Sequence, residues 1–346
     1  MTDPPQRFLM VRLSSIGDIV HALPAAAALA ETFPQAQIHW AVENCYALLL
    51  EGNPHLHRVV GLDTLGWRKH LNSTATWRKI SDAVSDLRRT SYDAALDFQG
   101  LWKSAVVGWL SRTHERIGFA ERCLREPSAA TLYTQRVTPR EHVHVVEENL
   151  ALVARLGAHT QRWQFPLPWN DGDDAYVDVQ LAALSAENFI VINPGGGWRS
   201  KCWSPENYAA LIRQLVGVLP EHILLTGSPQ EEPMIGEILQ NAGSQRAHYF
   251  PSTLVQFIAL ARRARLFIGG DTGPLHLAAA VGAPIVGIYG PTDPVRNGPF
   301  AADDIAVSNR GTINHTRRGK NPAYLPGVSV ESVVAAVEKR LARAHG

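Results

Sequence analysis

Cysteine is scarce in this chain of 346 residues. Its three cysteines stand at positions 45, 123 and 202, and no two of them form a C-x-x-C pair. An odd number of cysteines without such a pair argues against a disulfide framework and against a structural zinc site. We therefore expect the protein to occupy a reducing compartment.

Neither sign of charge is in excess, and long apolar runs are missing. Thirty-three basic and 32 acidic side chains leave a formal charge of +1, so no global field favours nucleic acid as a partner. No stretch approaches the roughly 18 apolar residues of a membrane span. The opening MTDPPQRFLMVRL lacks the apolar region of a secretory signal, because Arg12 interrupts it. These features predict a cytoplasmic protein, at most peripheral to a membrane.

Length and composition predict two globular domains. At roughly 150 residues per domain, the chain is long enough for two hydrophobic cores. Apolar residues make up 45% of the chain, and its 27 Gly and 22 Pro are spread along it, which excludes a disordered or fibrous protein.

Strand-like and helix-like patterns alternate through both halves. Residues 8–13 predict a strand and 19–32 a helix, and the same alternation restarts with a strand at 189–192 and a helix at 205–219. Alternation of this kind predicts an α/β fold with two doubly wound, Rossmann-like parallel sheets. In such sheets ligands bind at the carboxyl ends of the strands, and a cleft between two facing domains is the expected site.

The pattern breaks at residues 163–174, where Phe-Pro-Leu-Pro-Trp is followed by Asn-Asp-Gly-Asp-Asp. We interpret this Pro-rich and acidic stretch as the linker between domains at 1–165 and 175–346. The last helix is free to pack back on the first domain.

Three loops after predicted strands carry residues suited to chemistry. In Ser14–Asp18, Gly17 allows close approach of a ligand, and Asp18 is either a general base or the N-cap of the following helix. In Asn193–Lys201, three glycines and two cations, Arg199 and Lys201, favour an anion site over a mobile surface turn. This loop is not a Walker motif.

The third loop, Gly269–His276, leads into a helix with Pro at its start. Free backbone N–H groups at that helix end favour phosphate binding, and His276 lies one turn further on. Asp271 and Thr272 are alternatively simple helix caps, and His276 a core histidine. Glu231, after another strand, is suited to ribose hydroxyls or to an acidic first helical turn.

These motifs together resemble a known family. SSIGDIVHALPA, NPGGGWRSKCW, GSPQEE and GGDTGPLHLAAAVGAPIVGIYGPTDP are similar to segments of the ADP-heptose:lipopolysaccharide heptosyltransferases, which are glycosyltransferase family 9 enzymes with the GT-B fold. Within the family the resemblance is closest to heptosyltransferase I, on Trp67-Arg68-Lys69, DFQGLWKS at 97–104 and Arg125-Glu-Pro127. One departure is Gly-Gly-Trp-Arg before Lys201, where the compared member has a polar, acidic stretch.

The resemblance implies an inverting transfer of heptose from ADP-L-glycero-D-manno-heptose to the Kdo of Kdo-lipid A. It implies that Asp18 is the catalytic base, and that the enzyme acts as a monomer on the cytoplasmic face of the inner membrane. The remaining roles follow the family's motifs: catalysis by Lys201; donor binding by Gly17, Gly196, Glu231, Asp271, Thr272, Gly273 and His276; acceptor binding by Arg68, Lys69, Lys103 and Arg125.

No metal or other cofactor is expected. A lysine, a histidine and helix-end N–H groups can neutralise a diphosphate, and no D-x-D signature stands at a strand end. Three alternatives stay open: heptosyltransferase II or another GT-B heptosyltransferase, a nucleotide-binding oxidoreductase, and a non-catalytic binding module. The missing G-x-G-x-x-G after the first strand counts against the oxidoreductase.

Overall fold

A computed structural model describes residues 7–197, 201–309 and 324–343. The chain divides into two compact units, Met1–Pro168 and Trp169–Gly346. Each unit has a parallel sheet with six strands in the described residues.

The first unit orders its strands β3-β2-β1-β4-β5-β6. Its strands are β1 Arg7–Val11, β2 Gln37–Glu43, β3 Arg58–Leu62, β4 Ala94–Asp97, β5 Glu115–Phe119 and β6 Gln135–Val137. Its α-helices are α1 Ile16–Thr32, α2 Thr64–Lys69, α3 Thr74–Leu87, α4 Trp102–Leu110 and α5 Val145–Val153. Short 3-10 helices occupy Asn44–Leu50, Glu121–Cys123, Pro127–Leu132 and Ala154–Leu156.

The second unit orders its strands β12-β11-β10-β7-β8-β9. Its strands are β7 Phe189–Asn193, β8 His222–Leu225, β9 Ala247–Tyr249, β10 Leu266–Gly270, β11 Ile285–Tyr289 and β12 Ile305–Ser308. Its helices are α6 Asp171–Ala183, α7 Pro205–Val218, the 3-10 helix Pro229–Glu231, α8 Glu232–Ala242, α9 Leu254–Arg263, α10 Gly273–Ala280, α11 Pro294–Asn297 and α12 Val330–Arg343.

In each sheet the strand order reverses direction at the strand that comes first in the sequence of that unit. In the first unit β1 lies between β2 and β4, and in the second β7 lies between β8 and β10. The loops after the two central strands of such a sheet diverge and leave a crevice at its carboxyl edge. This topology places the loops after β1 and β4 side by side in one unit, and the loops after β7 and β10 side by side in the other.

The central strands form because their apolar runs are buried on both faces. Phe8–Val11 and Phe189–Ile192 are at most 2% exposed, which is typical of parallel strands covered by helices on each side. The Ala-rich helix α1 is buried along most of its length and packs on α5. Alanine allows close packing and has the highest helix propensity.

One helix begins earlier than the sequence predicts, and another stands where no helix was predicted. Helix α1 begins at Ile16 with Ser15 as its N-cap, so the interpretation of Asp18 as the N-cap is wrong. Helix α6 begins at Asp171, inside the predicted linker, and the side chain of Asn170 accepts from the N–H of Asp173 at 2.9 Å. The acidic cluster is thus a first helical turn, where negative charge is stabilised by the helix dipole.

The last helix, α12, belongs to the second unit. Its buried residues Val333, Val337 and Leu341 join the core beneath α7 and β11. Among the described residues, none of the helices combines the length and apolar character needed to cross a bilayer.

Candidate functional site

Asp18 is the third residue of α1 and is held by the residues around the helix start. Its Oδ2 accepts from the backbone N–H of Ser15 at 3.0 Å and from the Ser15 hydroxyl at 2.9 Å. A carboxylate at this position satisfies an N–H group that the helix leaves without an internal partner. The side chain of Asp18 therefore has a defined orientation at the carboxyl end of β1.

Arg12, the residue that follows β1, forms an ion pair with Asp18. Its Nη2 lies 2.5 Å from Asp18 Oδ1, while its Nη1 donates to the carbonyl of Phe98. The Arg12 side chain is 12% exposed and that of Asp18 is 40% exposed. Since a carboxylate offers about four acceptor sites, Asp18 can be held by these partners and still accept a proton from solvent or substrate.

The sequence analysis missed Arg12 as a site residue and used it only as the interruption of an apolar run. A signal was present, because Arg12 directly follows a buried strand at the sheet edge where ligands bind. Its partner could not be read from that position, since the pairing depends on how the loop from 12 to 15 turns.

The loop after β4 contributes Gln99, and the first turn of α4 contributes Lys103. Gln99 accepts from the N–H of Leu13 at 2.9 Å and donates to the hydroxyl of Ser14 at 3.3 Å. Lys103 Nζ lies 3.4 Å from the same hydroxyl and 3.9 Å from Oε1 of Glu43. The predicted acceptor-binding residue Lys103 is thus brought to the loop that carries Asp18.

A buried carboxylate, Asp97, shapes the β4 loop. It accepts from Tyr133 Oη at 2.6 Å, from Ser104 Oγ at 2.8 Å and from the N–H groups of Gln99 and Gly100. Burial raises the pKa of Asp97, and these hydrogen bonds offset part of that rise. Four donors on one buried side chain hold the loop that presents Gln99 and Lys103.

Glu43, at the end of β2, is a second carboxylate that the sequence analysis did not select. It is 1% exposed and accepts from the hydroxyl of Thr64, and its backbone N–H donates to the carbonyl of Leu13 at 3.1 Å. Together with Lys103 it forms a partly buried charge pair beside the β1 loop.

The other three predicted acceptor-binding cations are exposed at the carboxyl edge of the first sheet. Arg68 and Lys69 lie in the last turn of α2, which follows β3. Arg125 lies between two 3-10 helices that follow β5. Next to it, Glu126 accepts from the N–H of Trp102 at 2.7 Å, which connects this segment to the start of α4.

In the second unit, Asp271 joins Lys201 and His276. Lys201 Nζ lies 2.7 Å from Asp271 Oδ2 and 3.3 Å from its carbonyl oxygen, and His276 Nε2 lies 3.0 Å from Asp271 Oδ1. Burial alone would raise the pKa of Asp271, but the neighbouring His276 and Lys201 lower it far below its usual range. Asp271 is therefore an anion that orients Lys201 and His276.

The same cluster stands at the start of α10. Thr272 is the N-cap, Gly273 is the first helical residue, and a proline follows it. The first turn of a helix has N–H groups without internal partners and a positive dipole end, which together favour a bound phosphate. His276 is on this helix, so the third loop combines a helix-end anion site with a histidine and a lysine.

Glu231 and two glycines form a second group in this unit. Glu231 Oε2 accepts from the N–H and hydroxyl of Ser228 at 2.7 and 2.8 Å. A Cβ on Gly195 would overlap with Oε1 of Glu231, and one on Gly196 would lie 2.9 Å from a methyl carbon of Thr272. A side chain on Gly195 or Gly196 would therefore force Glu231 or Thr272 to move.

Two further predicted positions complete the comparison with the sequence. Gly17 is buried as the second residue of α1. Arg199 falls outside the described residues. Gly17, Asp18 and Lys103 thus lie at the switch point of the first sheet, and Gly196, Lys201, Asp271, Thr272, Gly273 and His276 at that of the second.

A family model for glycosyltransferase family 9 (heptosyltransferase) matches residues 81–325. The chain belongs to this family. It is 31% identical to the lipopolysaccharide heptosyltransferase 1 of Pseudomonas aeruginosa over 88% of this chain and 84% of that protein. The chain is therefore a family 9 glycosyltransferase.

Solved structures agree with the fold. The E. coli heptosyltransferase WaaC with ADP has a TM-score of 0.77 at 25% identity and covers 97% of this chain and 100% of its own. The E. coli ADP-heptose heptosyltransferase II has a TM-score of 0.75 at 21% identity, covering 99% and 100%. The predictions of the family and of a GT-B fold with two doubly wound units are confirmed, while the roles of individual site residues stay predictions.

Proposed function

We propose that this family 9 glycosyltransferase transfers a heptosyl group from ADP-heptose to a Kdo sugar of the lipopolysaccharide inner core. The cluster of Lys201, Asp271 and His276 at the start of α10 carries the proposal, because it suits a diphosphate leaving group. Its relatives named as heptosyltransferase 1 and a solved relative with ADP bound support the choice of donor and acceptor.

In the donor half of the reaction, Lys201 and the N–H groups at the start of α10 stabilise the diphosphate. Charge accumulates on the diphosphate oxygen as its bond to the anomeric carbon breaks, and fixed cationic donors lower the energy of that state. Asp271 acts through Lys201 and His276 by holding both in place, since an anion would repel the diphosphate. This charge arrangement lets the transfer proceed without a metal ion.

Glu231 binds the ribose of the nucleotide. Its carboxylate follows strand β8 and is fixed by Ser228, and a carboxylate at the end of a Rossmann-like strand is suited to two ribose hydroxyls. Gly195 lets the β7 loop pass close to Glu231, because a side chain there would overlap with the carboxylate.

In the acceptor half, Asp18 accepts the proton of the attacking Kdo hydroxyl. The hydroxyl oxygen forms a bond to the anomeric carbon of heptose while the bond from that carbon to the diphosphate oxygen breaks. The electron pair of the broken bond stays with ADP, and the proton stays on Asp18 until water removes it. A single displacement of this kind inverts the configuration of the anomeric carbon.

Four cations surround the acceptor half of the reaction. Lys103, Arg68, Lys69 and Arg125 lie at the carboxyl edge of the first sheet, where they match the carboxylates of Kdo and the phosphates of lipid A. Because the acceptor is carried by a lipid, we propose that the enzyme works at the cytoplasmic face of the inner membrane. We also propose that it acts as a monomer.

The decisive experiment measures ADP release by the purified protein supplied with ADP-heptose, with and without Kdo-lipid A. We expect release that depends on the acceptor and a product heavier by one heptose, with no loss of rate in EDTA. Reaction only with an acceptor that already carries heptose would instead indicate a heptosyltransferase II. If neither acceptor gave ADP release or a heavier product, heptosyl transfer to the inner core would be refuted.

A further inference from the structure

The segment from Thr64 to Ser81 combines cations with exposed apolar side chains. It contains α2 and the first half of α3. No residue of α2, which the structure describes in full, is buried, and of the 14 residues of α3 only Thr76 and Leu87 are buried. Both helices therefore leave much of their surface exposed, while Trp67 and Ala83 pack on the core of the unit.

Three large apolar side chains of this segment face solvent. Leu65 is 40% exposed, Leu71 is 49% exposed and Trp77 is 58% exposed. Trp77 Nε1 donates to the carbonyl oxygen of Leu71 at 2.8 Å, so the polar atom of the indole has a partner while its apolar ring is open. Exposed apolar groups clustered in this way mark interaction surfaces more often than isolated ones do.

The charges of the segment all have one sign. Arg68, Lys69, Arg78 and Lys79 are exposed, and no aspartate or glutamate occurs between residues 64 and 81. The chain as a whole has a charge of only +1, so this is a local concentration. Asp63 and Asp82 border it, and Asp63 already accepts from the N–H of Gly66 at 3.0 Å.

We propose that residues 64–81 dock on the surface of an anionic lipid bilayer. Cations attract the phosphates of anionic lipid, while tryptophan and leucine side chains enter the boundary between head groups and acyl chains. An anionic bilayer accounts for both the cations and the exposed indole, and a protein partner would not require this combination. The inference extends the proposed function, because Arg68 and Lys69 would then receive a lipid-borne acceptor at the bilayer surface.

The test measures binding of the full chain to sedimented vesicles, without donor or acceptor. The vesicles contain phosphatidylcholine alone or mixed with phosphatidylglycerol. We expect binding only to the mixture, and weaker binding when salt rises from about 0.1 M to about 1 M, since the Debye length falls from about 10 to about 3 Å. The Arg78→Gln/Lys79→Gln variant should bind about 30-fold more weakly, since each cation near an anionic surface contributes about fivefold.

Matched controls separate this surface from general charge and hydrophobicity. Arg262→Gln/Lys339→Gln removes two exposed cations from the second unit, and Trp109→Ala removes a tryptophan that is 53% exposed on α4. Both should bind vesicles as the parent does, whereas Trp77→Ala should bind several-fold more weakly. Equal losses in the control and test variants, or equal binding to both kinds of vesicle, would overturn the proposal.

A second measurement distinguishes failure of docking from failure of the proposed function. Arg78→Gln/Lys79→Gln should keep the parental rate on a water-soluble, delipidated Kdo acceptor and lose rate only on Kdo-lipid A in vesicles. Vesicle binding does not depend on transfer, so the docking proposal is tested even if no heptosyl transfer is found. Loss of rate on both acceptors would refute a role confined to the membrane.

Discussion

The guanidinium of Arg12 lies 2.5 Å from the carboxylate of Asp18, six residues further along the chain. Arg12 leaves β1 and Asp18 lies in the first turn of α1, so the loop between them folds back on itself. The pair orients Asp18 at the carboxyl edge of the sheet. Both side chains can therefore be tested separately, one for proton transfer and one for positioning.

Replacing Asp18 by Asn should abolish proton acceptance while preserving shape. We expect kcat to fall by about 10²–10⁴, the usual contribution of a general base, with ADP affinity unchanged because Asn keeps the shape of the side chain and leaves Lys201 and Glu231 untouched. Steady-state rates and calorimetric titration with ADP measure both quantities. A variant with near-parental kcat would remove Asp18 from the mechanism.

Replacing Arg12 by Met should leave Asp18 without its cation and Phe98 without its donor. We expect kcat to fall by about tenfold to 100-fold, the cost of losing a charge-assisted hydrogen bond, with little change in the KM for ADP-heptose. Arg12→Lys should recover part of kcat because it restores the charge but not both contacts. A rise in KM with unchanged kcat would contradict a positioning role.

Replacing Gly195 by Ala should displace Glu231, because the added Cβ would overlap with its carboxylate. We expect ADP binding to weaken about tenfold, as for the loss of one hydrogen bond to a charged group. Gly197→Ala is the matched control, since a Cβ there meets no atom of the described residues within 4 Å. Equal ADP affinity in the two variants, measured by calorimetry, would exclude Glu231 from the donor site.

Replacing Lys201 by Met should lower kcat by about 10²–10³, because the departing diphosphate loses a fixed cation. The same change affects stability in a pH-dependent way. The lowered pKa of Asp271 stabilises the folded protein above the usual aspartate pKa, and this contribution is lost as pH falls. The stability difference from the parent should therefore be largest near neutral pH and shrink below about pH 4, as urea unfolding can measure.

Replacing Tyr133 by Phe should destabilise the β4 loop by about 1–3 kcal/mol, because the buried Asp97 loses a donor. Asp97 has a raised pKa in the folded protein, so its ionisation costs stability as pH rises. Without Tyr133 that cost grows, and destabilisation should be greater at about pH 7 than at about pH 4. A loss of stability that is equal at both pH values would contradict this role of the pair.

Much of the fold could be predicted from local sequence patterns. Strands such as β7 and helices such as α7 start where their apolar patterns start, since burial on one or both faces sets those patterns. The start of α1 was predicted too late and α6 was not predicted, because Asp18 and the acids after Asn170 were interpreted as a cap and a linker instead of first helical turns. Acidic residues suit both situations, so composition alone did not separate them.

The sequence by itself determined which loops carry the candidate site, because each follows a buried strand and contains residues suited to anions or proton transfer. Only the tertiary structure decided the partners within those loops. Gln99 reaches Leu13 across 86 residues and Lys201 reaches Asp271 across 70. In a doubly wound sheet the neighbours β1 and β4, and likewise β7 and β10, are distant in sequence, so their contacts arise from the order of strands and leave no local pattern.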